Sequence, residues 1–288
     1  MLLLFSKRFK DNMNPHSSPS IEFSRLFQSF WHHRQLIKDM AKREVIGRYR
    51  GSVLGMAWSF FNPVFMLVVY TFVFGVVFKA RWGVDSDNGQ GSFAVILFAG
   101  MIVHGLFAEC INRAPSLVLA NVSYVKKVVF PLEILPWVSV IAALFHTTIS
   151  IVVLLVAKLA LMHSLSWSIL LLPIIWLPFL VGIMGISWFL SSTGVYLRDV
   201  SQMTGLITTV LLFMSPVFYP LSALPEMYRP WLLLNPLTFI IEQTRQVLVW
   251  GNAPDWGGLA IYSVLAGLVG WLGFVWFQKT RKGFADVI

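Results

Sequence analysis

Five stretches of the chain, residues 60–78, 93–111, 138–161, 169–195 and 259–277, are almost continuously apolar over 19 to 27 positions. As helices, each is long enough to cross a hydrocarbon core of about 30 Å. A sixth run, residues 205–219, is shorter and closes with Pro216 and Pro220. Six crossings are therefore expected. A further segment, residues 231–250, "WLLLNPLTFIIEQTRQVLVW", has the length of a span but carries Asn235-Pro236 near one end and Glu242 and Arg245 further along. Charges at mid-span cost about 2.5–3.5 kcal/mol each. The segment is expected to be re-entrant or interfacial, inside a region of about 221–250.

The pattern ahead of the spans is different. From Ile21, Phe23, Leu26, Phe27, Phe30 and Trp31 recur at helical spacing, with Arg25, Gln28, His32 and Arg34 on the other side. That is an amphipathic helix suited to the plane of a membrane interface. The next segment, "LIKDMAKREVIGRYRG", keeps Ile37, Met40, Ala41 and Val45 on one side. Its charged side is either solvated or available to a partner protein. Between spans 2 and 3, about 25 residues bounded by Pro115, Pro131 and Pro136 hold a short helix-like pattern and the Lys126-Lys127 pair. This piece is either a surface loop or a compact helix that transmits force into two spans at once.

Composition agrees with a membrane protein: 57% of the 288 residues are hydrophobic and 12% are charged, about half the charged share of soluble domains. The net charge of +9 does not indicate nucleic acid, because the basic residues lie between apolar runs rather than on a soluble domain. With six crossings, seventeen of the 22 Lys and Arg residues fall on one face. Lys79, Arg81, Arg229 and Arg245 fall on the other, and Lys158 sits near a span end from which it can snorkel. The positive-inside rule then places both termini in the cytoplasm. The opening "MLLLFSKRFKDN" has too short an apolar core for a signal peptide. Residues 1–59 are expected to form a cytoplasmic segment, 60–277 the transmembrane domain and 278–288 a cytoplasmic tail.

Several chemistries are excluded by what is missing. Cys110 is the only cysteine, so no intrachain disulfide and no cysteine metal site can form. No G-x-x-x-x-G-K-[ST] loop and no Gly-Lys pair occurs, so the chain cannot cradle nucleotide phosphates in a Walker loop. H-E-x-x-H and G-x-S-x-G are also missing, and no metal site or catalytic residue is expected. If transport is powered, another subunit supplies the energy. Glu109 and Arg113 form a helical i,i+4 pair, and His104 and His146 near mid-span suit interhelical hydrogen bonds better than a proton relay. Tyr70, Phe74 and Phe78 make one aromatic stripe, and Phe213, Phe218 and Tyr219 crowd the fifth span. These rings either pack or present a slippery face to sugar C–H groups.

"REVIGRYRGSVLGMAWSFFNP", "NVSYVKKVVFPLEILP", "YLRDVSQM", "SPVFYP" and "NPLTFIIEQTRQVL" stand, in this order, at fixed places relative to the spans. Together they resemble the transmembrane subunits of type-2 ABC exporters, specifically the polysaccharide and O-antigen permeases. The resemblance runs from about residue 40 to the end of the chain. It implies an all-α integral membrane protein, with six spans, an N-terminal interface helix and re-entrant helices before the last span. It further implies a homodimer in the bacterial inner membrane, bound to two cytoplasmic ATPase subunits that hold ATP and Mg, exporting a polyprenyl-linked glycan. Carried onto this sequence, it places ATPase contacts at Lys42, Arg43, Glu44, Arg48, Arg50, Lys126 and Lys127. A cytoplasmic gate falls at Gly51, Leu54 and Gly55, and a periplasmic gate at Asn235, Pro236, Glu242 and Arg245. The aromatic residues of spans 1 and 5 would line the channel.

Gly47, Gly51 and Gly55 recur every four residues, a spacing that permits close helix approach as well as a break in the chain. Two other readings stay open: export of a small hydrophobic compound, and an intramembrane enzyme built on the acidic pair Asp85 and Asp87. Capsular polysaccharide and teichoic acid are alternative cargoes of the same machinery.

Overall fold

Proline and glycine punctuate an otherwise helical chain, and each long helix begins or ends where one of them, or a polar cap, requires it. The computed structural model describes residues 24–78, 82, 90–126 and 130–288. Phe23, the side chains of Arg25, Leu26 and Phe27, and Lys79, Arg81, Asp85, Asp87 and Lys127 lie outside what is described, so the expectations placed on them do too.

Among the described residues the fold is all helix, with no strand. Two helices precede the spans, α1 (Ser24–His32) and α2 (Arg34–Arg48). Next come α3 (Trp58–Tyr70), which continues as a π-helix over Thr71–Val77, and α4 (Gln90–Arg113). The single-turn α5 (Val122–Val125) leads to α6 (Leu135–Met162), α7 (Leu172–Tyr196) and α8 (Val200–Phe213). The remainder is α9 (Arg229–Leu233), α10 (Pro236–Arg245), α11 (Trp256–Thr280) and α12 (Phe284–Val287). Pro136 and Pro236 sit in the first turn of α6 and α10, where a missing N–H costs nothing and a fixed φ favours helix. Asp255 caps α11 by accepting from the Gly258 N–H at 3.0 Å.

Among the described residues, five helical stretches are long and apolar enough to cross a membrane: Gly55–Val77, Phe93–Ser116, Leu132–Met162, Trp167–Tyr196 and Trp256–Val287. They coincide with the five long apolar runs of the sequence. The sixth run differs from expectation. Instead of residues 205–219, helix α8 covers Val200–Phe213, 14 residues and so about 21 Å. Pro216 explains the early end, because it lacks an N–H and pushes Ser215 out of the helical region. Residues 231–250 are likewise not one continuous helix but α9, a break at Leu234 and Asn235, α10, and a π-helical turn over Gln246–Trp250.

Packing is uneven across the bundle. Helices α7 and α11 approach so closely that a Cβ on Gly185 or Gly273 would collide with the other helix's backbone, the small-residue contact that membrane helices favour. Helix α4 lies at the centre and is largely buried, whereas span 1 is largely exposed. Only one stripe of span 1, Ser59, Pro63, Leu67 and Gly75, turns inward. Lys158, expected to reach out from a span end, is instead 2% exposed, its stem enclosed by the bundle.

Candidate functional site

Helix α2 is tied down along its whole length. Its buried residues Ile37, Ala41 and Val45 are the apolar positions that the sequence pattern isolates. Ile37 and Ala41 form a small core with Ile134 and Val138 at the start of α6, flanked by Phe30 and Trp137, whose rings lie 4.6 Å apart. Glu133, just ahead of α6, accepts from Ser29 Oγ at 3.4 Å and pairs with Arg281 at 3.2 Å. Its backbone carbonyl accepts from Trp188 Nε1 at 3.0 Å. The start of span 3 is thereby joined to α1, α7 and the segment after α11. His33 stands in this junction. Burial, then the neighbouring His32, hold its imidazole below the ordinary value, and Glu133 opposes them.

The polar side of α2 divides into two groups. Lys42, Arg43 and Arg50 are exposed. Glu44 and Arg48 instead turn onto the end of α4 and take part in ion pairs there. Arg48 pairs with Glu109, and Arg113 pairs with Glu44 at 2.5 Å. The local Glu109–Arg113 pair is the looser contact, at 3.9 Å. Each acid thus has a nearer partner on the other helix than on its own. One residue on, Tyr49 Oη lies 3.3 Å from Nδ1 of His146 on α6. His146 therefore does bond between helices, as does His104, whose Nε2 lies 2.9 Å from the Thr208 carbonyl of α8.

Directly after this attachment the helix stops. Gly51 and Gly55 have φ values of 86° and 52°, in the left-handed region where a side chain is strained. Among the described residues none beyond their own stretch of chain lies within 4 Å of where their Cβ atoms would be, nor of where one on Gly47 would be. Of the two readings of the glycine spacing, the break in the chain is the one observed; none of the three mediates a close helix contact. Leu54 is exposed between the two. Near this break, α3, α4 and α6 border an open groove of about 300 Å³ lined by residues that include Tyr49, Asn62, Tyr70, Glu109 and His146.

The loop between spans 2 and 3 is more irregular than a single compact helix. It consists of 3-10 turns, the one-turn α5 and an exposed Lys126, with Tyr124 stacked on Phe130 at 4.3 Å.

At the opposite end, the two aromatic groups of the sequence meet. Phe74 stacks on Phe93 at 5.8 Å and on Phe218 at 5.9 Å, and Phe218 on Phe213 at 5.8 Å. Tyr70 and Phe78 extend the row on either side of Phe74, and Tyr219 Oη donates to the Phe213 carbonyl at 2.8 Å. Phe78 and Phe213 remain largely exposed, so the row is half core and half surface.

The polar residues of 231–250 serve this end. Asn235 caps α10 by accepting from the Leu237 N–H at 3.0 Å, while its Nδ2 donates to the Met214 carbonyl at 3.1 Å and Ser215 Oγ at 2.9 Å. One side chain thus starts α10 and satisfies the frayed end of α8. Arg245 is completely buried. It pairs with Glu242 at 2.9 Å and donates to the carbonyls of Ile96, Pro216 and Val217 at 3.1, 2.5 and 3.0 Å. Its guanidinium also lies 4.3 Å from the centre of the Trp82 ring. In the sequence, Arg245 reads as a charge to be kept out of the membrane and, through the family resemblance, as part of a periplasmic gate. Its role as a pin between three segments is not legible there, because its acceptors are mostly backbone groups.

Among the described residues no cluster of His, Cys, Asp or Glu could hold a metal ion. The arrangement offers a broken helix, an open groove and an aromatic row. Comparison with known proteins agrees in kind. The chain is 27% identical, over 92% of its length and 99% of the other's, to RfbA of Myxococcus xanthus, named an O-antigen export system permease protein. It is 24% identical to a Klebsiella pneumoniae protein of the same name, over 88% of this chain and 95% of that one. KpsM of Escherichia coli, named a polysialic acid transport protein, is 24% identical over 73% of this chain and 79% of its own. The ABC-2 type transporter family matches residues 35–249, three quarters of the chain, and with spans and loops in this order the chain belongs to that family.

Proposed function

We propose that this chain is the membrane-spanning subunit of an ABC exporter that moves a lipid-linked polysaccharide, O-antigen, across the bacterial inner membrane. The observation that carries the cargo is the near end-to-end likeness to the Myxococcus xanthus permease. In this reading both termini are cytoplasmic, as the basic residues favour. Helix α8 and the turn that follows it make the sixth crossing, and α9 with α10 forms a re-entrant hairpin at the periplasmic end.

Two such chains would form a homodimer with a channel between them, and two ATPase subunits would bind ATP with Mg and supply the energy. Exposed Lys42, Arg43, Arg50 and Lys126 are suited to meet the ATPase. The positive-φ residues Gly51 and Gly55, flanking Leu54, supply a gate where the α-helix is interrupted and short turns hold the chain. The row from Tyr70 through Phe74 and Phe218 to Phe213 presents ring faces on which sugar C–H groups can slide, and the Asn235 and Arg245 contacts fix the outer hairpin.

A deletion strain tests the reading. It should lose long-chain surface glycan, accumulate the lipid-linked precursor inside, and recover on complementation, and the tagged chain should purify with an ATPase subunit. Intact surface glycan together with new sensitivity to hydrophobic drugs would replace this reading with small-molecule export. Loss of capsule with normal O-antigen would favour a capsular cargo, the reading to which the likeness to KpsM points.

A further inference from the structure

We infer that Arg48, Glu109, Arg113 and His146 clamp α2 to spans 2 and 3, so that α2 moves as one body with α4 and α6 and the joint lies beyond it, at Gly51 and Gly55. The inference rests on the exporter reading above and specifies which spans receive the motion.

The attachments run along the whole of α2. Its apolar side is sealed on α6 through Ile37 and Ala41. Its polar side meets α4 through the Arg48–Glu109 and Glu44–Arg113 pairs, and Tyr49 reaches His146 on α6. Beyond Tyr49 the contacts to other helices thin out, and the chain is held by local turns, with Ser52 N–H donating to the Tyr49 carbonyl and Gly55 N–H to the Ser52 carbonyl at 3.1 and 3.2 Å. Gly51 and Gly55 have positive φ, no described residue beyond their chain neighbours lies within 4 Å of where a Cβ would stand on either, and span 1 buries only one stripe of residues. A displacement of α2 therefore passes first into spans 2 and 3, and span 1 follows through a loose joint. Glu109 and His146 act as positioning residues, through α2, and need not touch the cargo.

The test uses the purified complex with its ATPase, together with export in cells. Glu109→Gln and Arg48→Met should each lower glycan export about tenfold, a usual size for coupling between sites, and in the Glu109→Gln complex the ATPase should stay bound and hydrolyse ATP at close to the wild-type rate. Because the pair is shared, the double variant should lose no more than either single one. To separate lost coupling from poor folding, Cys is placed at positions 48 and 109 in a Cys110→Ser background and joined with a flexible bifunctional thiol reagent. Export lost before tethering should return after it. Wild-type export by E109Q, or a tether that leaves export lost, overturns the clamp. If the wild-type chain neither binds an ATPase nor restores glycan to the deletion strain, the exporter reading fails instead, and the clamp fails with it.

Discussion

Two arginine-centred clusters hold the two ends of this bundle, and they are built in opposite ways. At one end Arg48, Glu109, Arg113 and Glu44 cross-pair with side chains still 22–35% exposed. At the other, Arg245 is 0% exposed and shares its donors among one carboxylate and three carbonyls. Partly exposed pairs contribute about 0–1 kcal/mol each, whereas removing one partner of a buried pair costs about 3–5 kcal/mol. Charge at the first end holds α2 to α4 while contributing little to the stability of the fold. At the second it pins three segments in place.

The sharpest way to break this contrast is Arg245→Met, which leaves Glu242 and three carbonyls without their donor. It should destabilise the protein by about 3–5 kcal/mol, read as a lowered thermal midpoint in membranes or detergent. Next comes Gly55→Val, which forces a β-branched residue into the left-handed region at a cost of about 1–3 kcal/mol. Export should fall while membrane insertion persists. Gly55→Asn, which tolerates that conformation, should retain most of the activity. Asn235→Ala removes the α10 cap and the Met214 contact and should cost about 1 kcal/mol, measured in the same melting assay. The smallest shift belongs to Arg48→Met, about 1 kcal/mol or less in stability after solvent screening, although its export defect is large. A melting loss for R48M equal to that of R245M would erase the distinction between joint and pin.

The sequence exposes one half of this contrast better than the other. Long apolar runs announce spans by themselves, because bilayer thickness sets their length and no partner need be known. Glycines at positions 51 and 55 allow a break, since their freedom is local, although their spacing equally permits close helix approach. The clamp is hidden. Arg48 and Glu109 are 61 positions apart, and the i,i+4 spacing of Glu109 and Arg113 draws attention to the weaker pair. Arg245 is conspicuous as a charge, but its partners at Ile96, Pro216 and Val217 are backbone groups that any residue would offer. The shortness of α8 follows from Pro216, yet the apolar run beyond it conceals where helix ends. Lys158 misleads for a related reason: its position near a helix end does not reveal that neighbouring helices enclose it.

The division between clamped helix and loose span can be measured directly by electron-spin distance spectroscopy on the ATPase-bound complex, with labelled chains diluted by unlabelled ones. Labels at exposed Ile46 on α2 and Phe65 on span 1 report across the glycine joint, and labels at Ile46 and exposed Phe145 on α6 report within the clamp. On adding ATP, the 46–65 distance distribution should shift and the 46–145 distribution should stay fixed. A fixed 46–65 distance, or a 46–145 distance that changes as much, would contradict a joint at Gly51 and Gly55.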